Sequence, residues 1–390
     1  MSTRRRACTP ITSTPQSERV AKYRDALALA FAADPADKTY ASQLKGGAML
    51  EALFRRQPDH PGLAHDIIHI YDAPALADHA FEAAERYAKI APSASHALHM
   101  PSHTFTRIGY WQESIDANVA SAESARREGA TSEELHASDY QTYAYLQTAQ
   151  DRAARRVVDS VPAMVSRFDP NAMGAAAPPS AGFFAIATIP ARYALERGAW
   201  SEAAALEQTA SPFPFADAMT QFARAIGAAR TGNIAAARAA VGALQRLREA
   251  LASQDAYWAE QVEIQRLGAS AWLAFADERR DEALSLMRSA VEREDRTEKN
   301  AITPGPLAPA RELLGDLLLQ MREPAAAVKE YVATLRKEPN RFRSLYGAAH
   351  AAALAGDRAG AKRSFTQLLK VCRRSDKPGR PELAEARAFR

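Results

Sequence analysis

Apolar residues along this chain recur three and four positions apart, which places them on one face of an α-helix, and alternating strand-like runs are almost absent. The periodic segments come in pairs separated by a recurring phrase. Its core is a small residue or Gly, then an aromatic or aliphatic residue two positions on, then Ala three further. Gly198, Trp200 and Ala203 follow it, as do Gly232, Ile234 and Ala237. Variants stand in "RIGYWQESIDANVA" around Gly109, "YLQTAQDRAARRVV" around Ala149, "FADERRDEALSLMR", "LQMREPAAAVKEYV" and "ALAGDRAGAKRSF". Gly permits a tight turn between helices, and Ala at the crossing lets the two helices approach closely. Pro58, Pro92 and Pro339 read as helix-closing residues, and the first two are 34 residues apart.

This pattern resembles the tetratricopeptide repeat, a helix–turn–helix unit of about 34 residues. The resemblance implies an all-α, right-handed α-solenoid of about seven or eight helical hairpins, because one hairpin cannot bury its own apolar face and must stack on its neighbours. It also implies a concave groove lined by the first helix of each pair. The chain then divides into a disordered N-terminal segment (1–20), an N-terminal array (21–161), a Pro/Gly/Ala-rich connection (162–190), a C-terminal array (191–372) and a polar tail (373–390). The stretch "AITPGPLAP" at 301–309 is a second interruption, expected to divide the solenoid or to reach over its groove.

Composition adds mainly exclusions. Of 390 residues, 47% are hydrophobic and 25% charged, enough for a large core. The formal charge of +4 comes from interspersed acidic and basic residues, with no aromatic-interleaved basic patch, so no nucleic-acid partner is expected. Cys8 and Cys372 are the only cysteines, which excludes a disulfide framework and a cysteine-built zinc site. No apolar run reaches about 18 residues, so no membrane span is expected. The opening "MSTRRRACTPITSTPQSERV" is basic without an apolar continuation; as written the chain reads as cytoplasmic, and a shortened N-terminus would leave an exported form open.

Seven of the nine histidines fall within residues 60–111. His65 and His69 are spaced i, i+4, as are His99 and His103, and the second pair follows the first at an offset of 34 residues. Two histidine pairs therefore occupy the same positions on adjacent first helices, whose axes lie roughly 8–10 Å apart. A step of 40 residues, from Gly109 to Ala149, carries positions 96, 99 and 103 onto His136, Asp139 and Tyr143. Imidazole suits zinc, copper or iron, so the expectation is a divalent transition metal held by His65, His69, His99 and His103. His60, Asp72, His96 and His136 are expected to orient these ligands through hydrogen bonds, and Pro101 to bend or unwind the helix between His99 and His103. "HDIIH" falls one methylene short of the HExxH zinc-protease motif; Asp66 is shorter than the required Glu, and its repeat equivalent is Met100, so Asp66 is expected to face solvent or cap locally. His79 and His350 are expected to be solvated or core residues.

The phrases "PDHPGLAHDIIHIYDAP", "YAKIAPSASHALHMPSHTFTRIGYWQESI" and "TPGPLAPARELLGDLLLQ" are similar to a group of bacterial tetratricopeptide-repeat proteins that share an HPGxxHxxxH segment followed by HMPSH. The resemblance runs from about residue 25 to 372 and implies the fold without an established activity.

Two functions follow. In one, the groove holds a metal and the protein is a metal-dependent enzyme, hydrolase or oxidoreductase, acting on a small molecule, with Asp139 as base or ligand and Tyr143 as proton donor. In the other, the protein is a non-catalytic scaffold whose groove binds a peptide.

Overall fold

The computed structural model describes residues 16–31, 37–172 and 176–389. Its described residues form nine consecutive helix pairs and a closing helix. They are α1/α2 (Gln16–Phe31, Ala41–Phe54), α3/α4 (Pro61–Ile70, Phe81–Ile90), a split first helix α5–α6 (Ser95–His99, Pro101–Arg107) with α7 (Trp111–Glu128), and α8/α9 (Thr131–Gln147, Asp151–Val165). Then come α10/α11 (Pro179–Glu196, Trp200–Ala204), α12/α13 (Pro214–Arg230, Ile234–Leu251), α14/α15 (Ala256–Ala276, Arg280–Asp295), α16/α17 (Ala310–Gln320, Pro324–Lys337), α18/α19 (Phe342–Leu354, Arg358–Val371) and α20 (Pro381–Ala388). The closest packing is between chain neighbours, as the solenoid expectation requires.

The recurring phrase has one backbone cause. All seven of its turn residues sit in the left-handed region: Gly109 (φ 71°), Ala149 (53°), Gly198 (63°), Gly232 (76°), Glu278 (63°), Arg322 (63°) and Gly356 (83°). The amide after each one closes a hydrogen bond back over the last helical turn, for example Tyr110 N to Phe105 O (2.8 Å), Asn233 N to Ala228 O (2.9 Å) and Glu323 N to Leu318 O (2.9 Å). This is a Schellman cap, which satisfies the orphan carbonyls of the first helix while reversing the chain.

Three boundaries differ from the sequence reading. Most of the 1–20 segment lies outside the described residues, and helix α1 already begins at Gln16. The 162–190 connection shrinks to 166–178: the apolar run after Pro179 forms α10, with Pro179 at its first turn, where a missing N–H costs nothing. The polar tail is docked, because Arg380 pairs with Asp151 (2.6 Å) and Leu383 and Ala386 of α20 are buried.

The array also curls onto itself. Trp111 Nε1 donates to Asn340 O (2.9 Å) and Asp376 N to Ala149 O (3.1 Å), joining α7–α9 to the last pair. The 296–309 segment enters the interior instead of dividing the array. Its Glu298 accepts from Tyr40 Oη (2.7 Å), and its Lys299 reaches Asp72 (2.6 Å). The two largest apolar cores, one around Leu50, Ile67 and Tyr71 and one around Phe222, Trp258 and Leu317, leave a polar seam where that segment enters.

A Cβ at Gly109 would stand 2.3 Å from Pro339 O, whereas one at Gly232 would meet nothing within 4 Å. Gly232→Ala should therefore cost about 1 kcal/mol, the left-handed penalty alone, and Gly109→Ala at least about twice that. Urea denaturation midpoints of the two variants check this, and equal losses would contradict it.

Candidate metal centre

Three consecutive first helices present the histidines. α3 carries His65 and His69, α5 carries His96 and His99, α6 carries His103, and α8 carries His136. Pro101 has no N–H to donate, and the helix is split at Met100 into α5 and α6, which matches the expected interruption. The rings gather into two triads, His65/His69/His96 and His99/His103/His136, and within each triad one ligand atom per residue lies within 4.8 Å of the others. His69–His103 ring centroids are 5.5 Å apart and His96–His99 centroids 6.2 Å, so the triads abut.

This grouping differs from the four-histidine set read from the sequence. His96 and His136, expected behind the ligands, are the third member of each triad. Each triad joins an i, i+4 pair on one first helix to a single histidine on the next. The third ring in each case stands at an earlier position on the next first helix, His96 three residues before His99 on α5 and His136 three before Asp139 on α8.

Three rings are anchored through Nδ1. His65 Nδ1 meets Asp66 Oδ1 at 2.7 Å, and Asp66 in turn accepts from Tyr23 Oη, so Asp66 orients His65 instead of facing solvent. His99 Nδ1 meets Asn118 Oδ1 at 2.7 Å; Asn118 Nδ2 donates to Ser114 O (2.7 Å), which fixes Oδ1 as the acceptor and puts the His99 proton on Nδ1. His103 Nδ1 meets Asp72 Oδ2 at 3.0 Å and Tyr140 Oη at 3.3 Å. Tyr140 Oη lies 2.9 Å from Thr303 O, to which it donates its one hydrogen, so His103 Nδ1 is the donor to both oxygens. With Nδ1 engaged, Nε2 points inward: His99 and His103 Nε2 are 3.1 Å apart, and His65 and His96 Nε2 3.3 Å. The Nδ1 atoms of His96 and His136 are buried without a hydrogen-bond partner, the former 3.5 Å from Glu133 Oε2.

Burial holds the pKa values of His99, His103 and His136 well below the usual imidazole range, reinforced at His99 and His136 by neighbouring histidines. His69, an exposed residue, is pulled down to about 4 by the surrounding protein and by His65. Asp72 lies behind His103. Its burial favours the neutral acid, but Lys299 (2.6 Å) and Arg107 (2.8 Å) hold its carboxyl well below the usual carboxylate range. Lys299 is itself pulled down to about 8 by burial, against the attraction of Asp72.

The remaining candidates sit elsewhere. His60 is exposed and caps α3, accepting from Leu63 N (3.3 Å). His79 is exposed against the Tyr71 ring, and His350 contacts Glu385 (2.8 Å). Asp139 is turned away from the triads to Arg192 (2.8 Å), with both side chains fully buried. Tyr143 accepts from Arg341 Nη1 (2.9 Å) and donates to Glu338 (3.3 Å). Tyr143 shares the face of His136 but lies two turns, about 10 Å, further along the helix, and Asp139 is drawn aside to Arg192; the residue one turn on from His136 is Tyr140, whose ring centroid lies 4.7 Å from that of His99 and 5.0 Å from that of His103. The i, i+4 rule applied to His136 would have found Tyr140. Nothing in the local spacing marks Asn118 or Lys299, which arrive from a second helix and from the inserted segment.

No family model and no curated protein matches this chain. Three of the solved structures to which it is similar follow. The P58(IPK) TPR domain is 12% identical, with 95% of this chain and 99% of that one covered at a TM-score of 0.25. Yeast Tom70 is 9% identical, with 96% of each chain covered at 0.29. The Cut9–Hcn1 hetero-tetramer of APC/C is 11% identical, with 96% of each chain covered at 0.28. Superposition at this level carries no inference about site or activity. Among the described residues, no helix is long and apolar enough to cross a membrane.

Because Asp139 answers to a buried guanidinium, Arg192→Leu should destabilise the protein by about 3–5 kcal/mol, and Asp139→Leu/Arg192→Leu should recover most of that loss. Chemical denaturation of the two variants measures both; a double variant no more stable than the single one would contradict the assignment.

Proposed function

We propose that this protein is a metal-binding helix-pair scaffold in which each histidine triad holds one transition-metal ion. The observation that carries the reading is the 3.1 Å approach of two bare nitrogens. His99 and His103 both spend their Nδ1 protons on Asn118 and Asp72, and both rings are buried, which favours their neutral forms. Their Nε2 lone pairs therefore face each other with no hydrogen between them, an arrangement that is repulsive unless a cation sits there. Anchoring of the far ring nitrogen by a carboxylate or amide is how metal-ligating imidazoles are usually oriented.

Three imidazoles leave one position open on a four-coordinate ion, which suits binding or activation of a small molecule. The exposure of His69 gives that molecule a way in. The donor set admits zinc, copper or iron.

A second reading, a non-catalytic scaffold for a peptide, is favoured by a different feature. A groove runs beside the inserted segment, lined by Phe222, Tyr257, Trp258, Arg107, Lys299 and Glu338 among others. Aromatic walls with charged ends suit an extended peptide or a small aromatic anion.

Metal content of protein purified without a histidine tag separates the readings. The native chain should retain a transition metal after dialysis, and His99→Ala/His103→Ala should lose at least half of it. If both proteins are metal-free after exposure to zinc, copper and iron, the metal reading fails and the peptide scaffold stands.

A further inference from the structure

The two triads differ from a typical pair of hydrolytic metal sites in one respect: no carboxylate belongs to either. Asp66 and Asp72 stand one bond further out, behind His65 and His103, and Asp72 is already shared with Arg107 and Lys299. Six imidazole nitrogens supply no negative charge. Two divalent ions would bring four positive charges beside a buried Lys299 and Arg107, with no anionic ligand to answer them. Two monovalent ions bring half as much. Copper is among the transition metals that imidazole ligands suit.

The abutting rings add a second observation. His69 stands against His103 and His96 against His99, so ions held by the two triads would be immediate neighbours, the arrangement that a small molecule bridging them requires. The first triad reaches the surface at His69 and the second is fully buried, which gives a dioxygen-sized molecule an entrance and a dry end.

We infer that the triads hold a pair of copper(I) ions that bind dioxygen reversibly between them; the inference rests on the metal-binding reading above. Each copper(I) gives one electron and becomes copper(II). The dioxygen takes both electrons and becomes a bridging peroxide, its O–O bond kept and no proton moved. The charge gained by the two ions equals that on the peroxide, so the net charge of the site is unchanged. Dissociation returns both electrons to copper.

The test loads the full chain with copper(I) under argon, counts copper per chain, and then admits oxygen. The expected result is about two copper ions per chain, an intense near-ultraviolet peroxide-to-copper absorption, no electron paramagnetic resonance signal from the coupled copper(II) pair, and loss of the absorption on purging with argon. His69→Ala changes an exposed ring, and its circular dichroism should match the native chain. It should bind about one copper ion tightly, show no such absorption, and give the resonance signal of isolated copper(II). His136→Ala should do the same from the other triad. A native protein that binds one copper per chain, or two that oxidise with a full resonance signal and no absorption, overturns the copper pair and leaves the metal reading intact. A chain that binds none of copper, zinc and iron overturns both.

Discussion

Asp72 is the point at which the fold and the histidine centre depend on one another. It lies just past α3, in a side chain only 9% exposed, and its carboxylate collects the His103 ring, the Arg107 guanidinium and the Lys299 ammonium. A buried carboxylate is tolerable only when its charge is answered. Here the answer comes from α6 and from a segment 227 residues further along the chain. That single ion cluster fixes the His103 tautomer, draws the 296–309 segment into the interior and so joins the beginning of the array to its later pairs.

Repetition supplies the rest of the centre. A helix pair stacked on a near copy of itself brings the same positions together at each interface, so a ligand pattern that works once recurs at the next interface. The i, i+4 pair on α3 meets His96 of α5, and the pair split across α5 and α6 meets His136 of α8. The two interfaces are not identical in their surroundings. The first is open at His69, whereas the second is sealed by Tyr140, Asn118 and the carbonyls of the inserted segment.

Much of this was legible in the sequence, and the limits are instructive. The helical periodicity and the seven turn phrases anticipated the pairs, because a left-handed cap leaves a chemical trace in Gly and its substitutes. The histidine pairs were legible because the repeat offset exposed them. What failed was the step from equivalent positions to spatial partners: repeat arithmetic aligned Asp139 and Tyr143 with His99 and His103, but His136 supplies the third ring while Asp139 turns to Arg192 and Tyr143 to Arg341. Lys299 and Asn118 left no trace at all, since contacts between distant segments have no local spacing. The α10 helix was obscured by its prolines, of which Pro179 starts it and Pro190 lies within it.

The central claim is that the inward nitrogens face a metal ion rather than each other. The most direct measurement is anomalous diffraction from crystals of the chain grown with copper or zinc. The account predicts an anomalous peak within each triad, roughly 2 Å from three imidazole nitrogens, the second between His99 and His103 Nε2. Crystals with no peak at either triad, and with one of those two rings turned so that an N–H donates to the other, would contradict it.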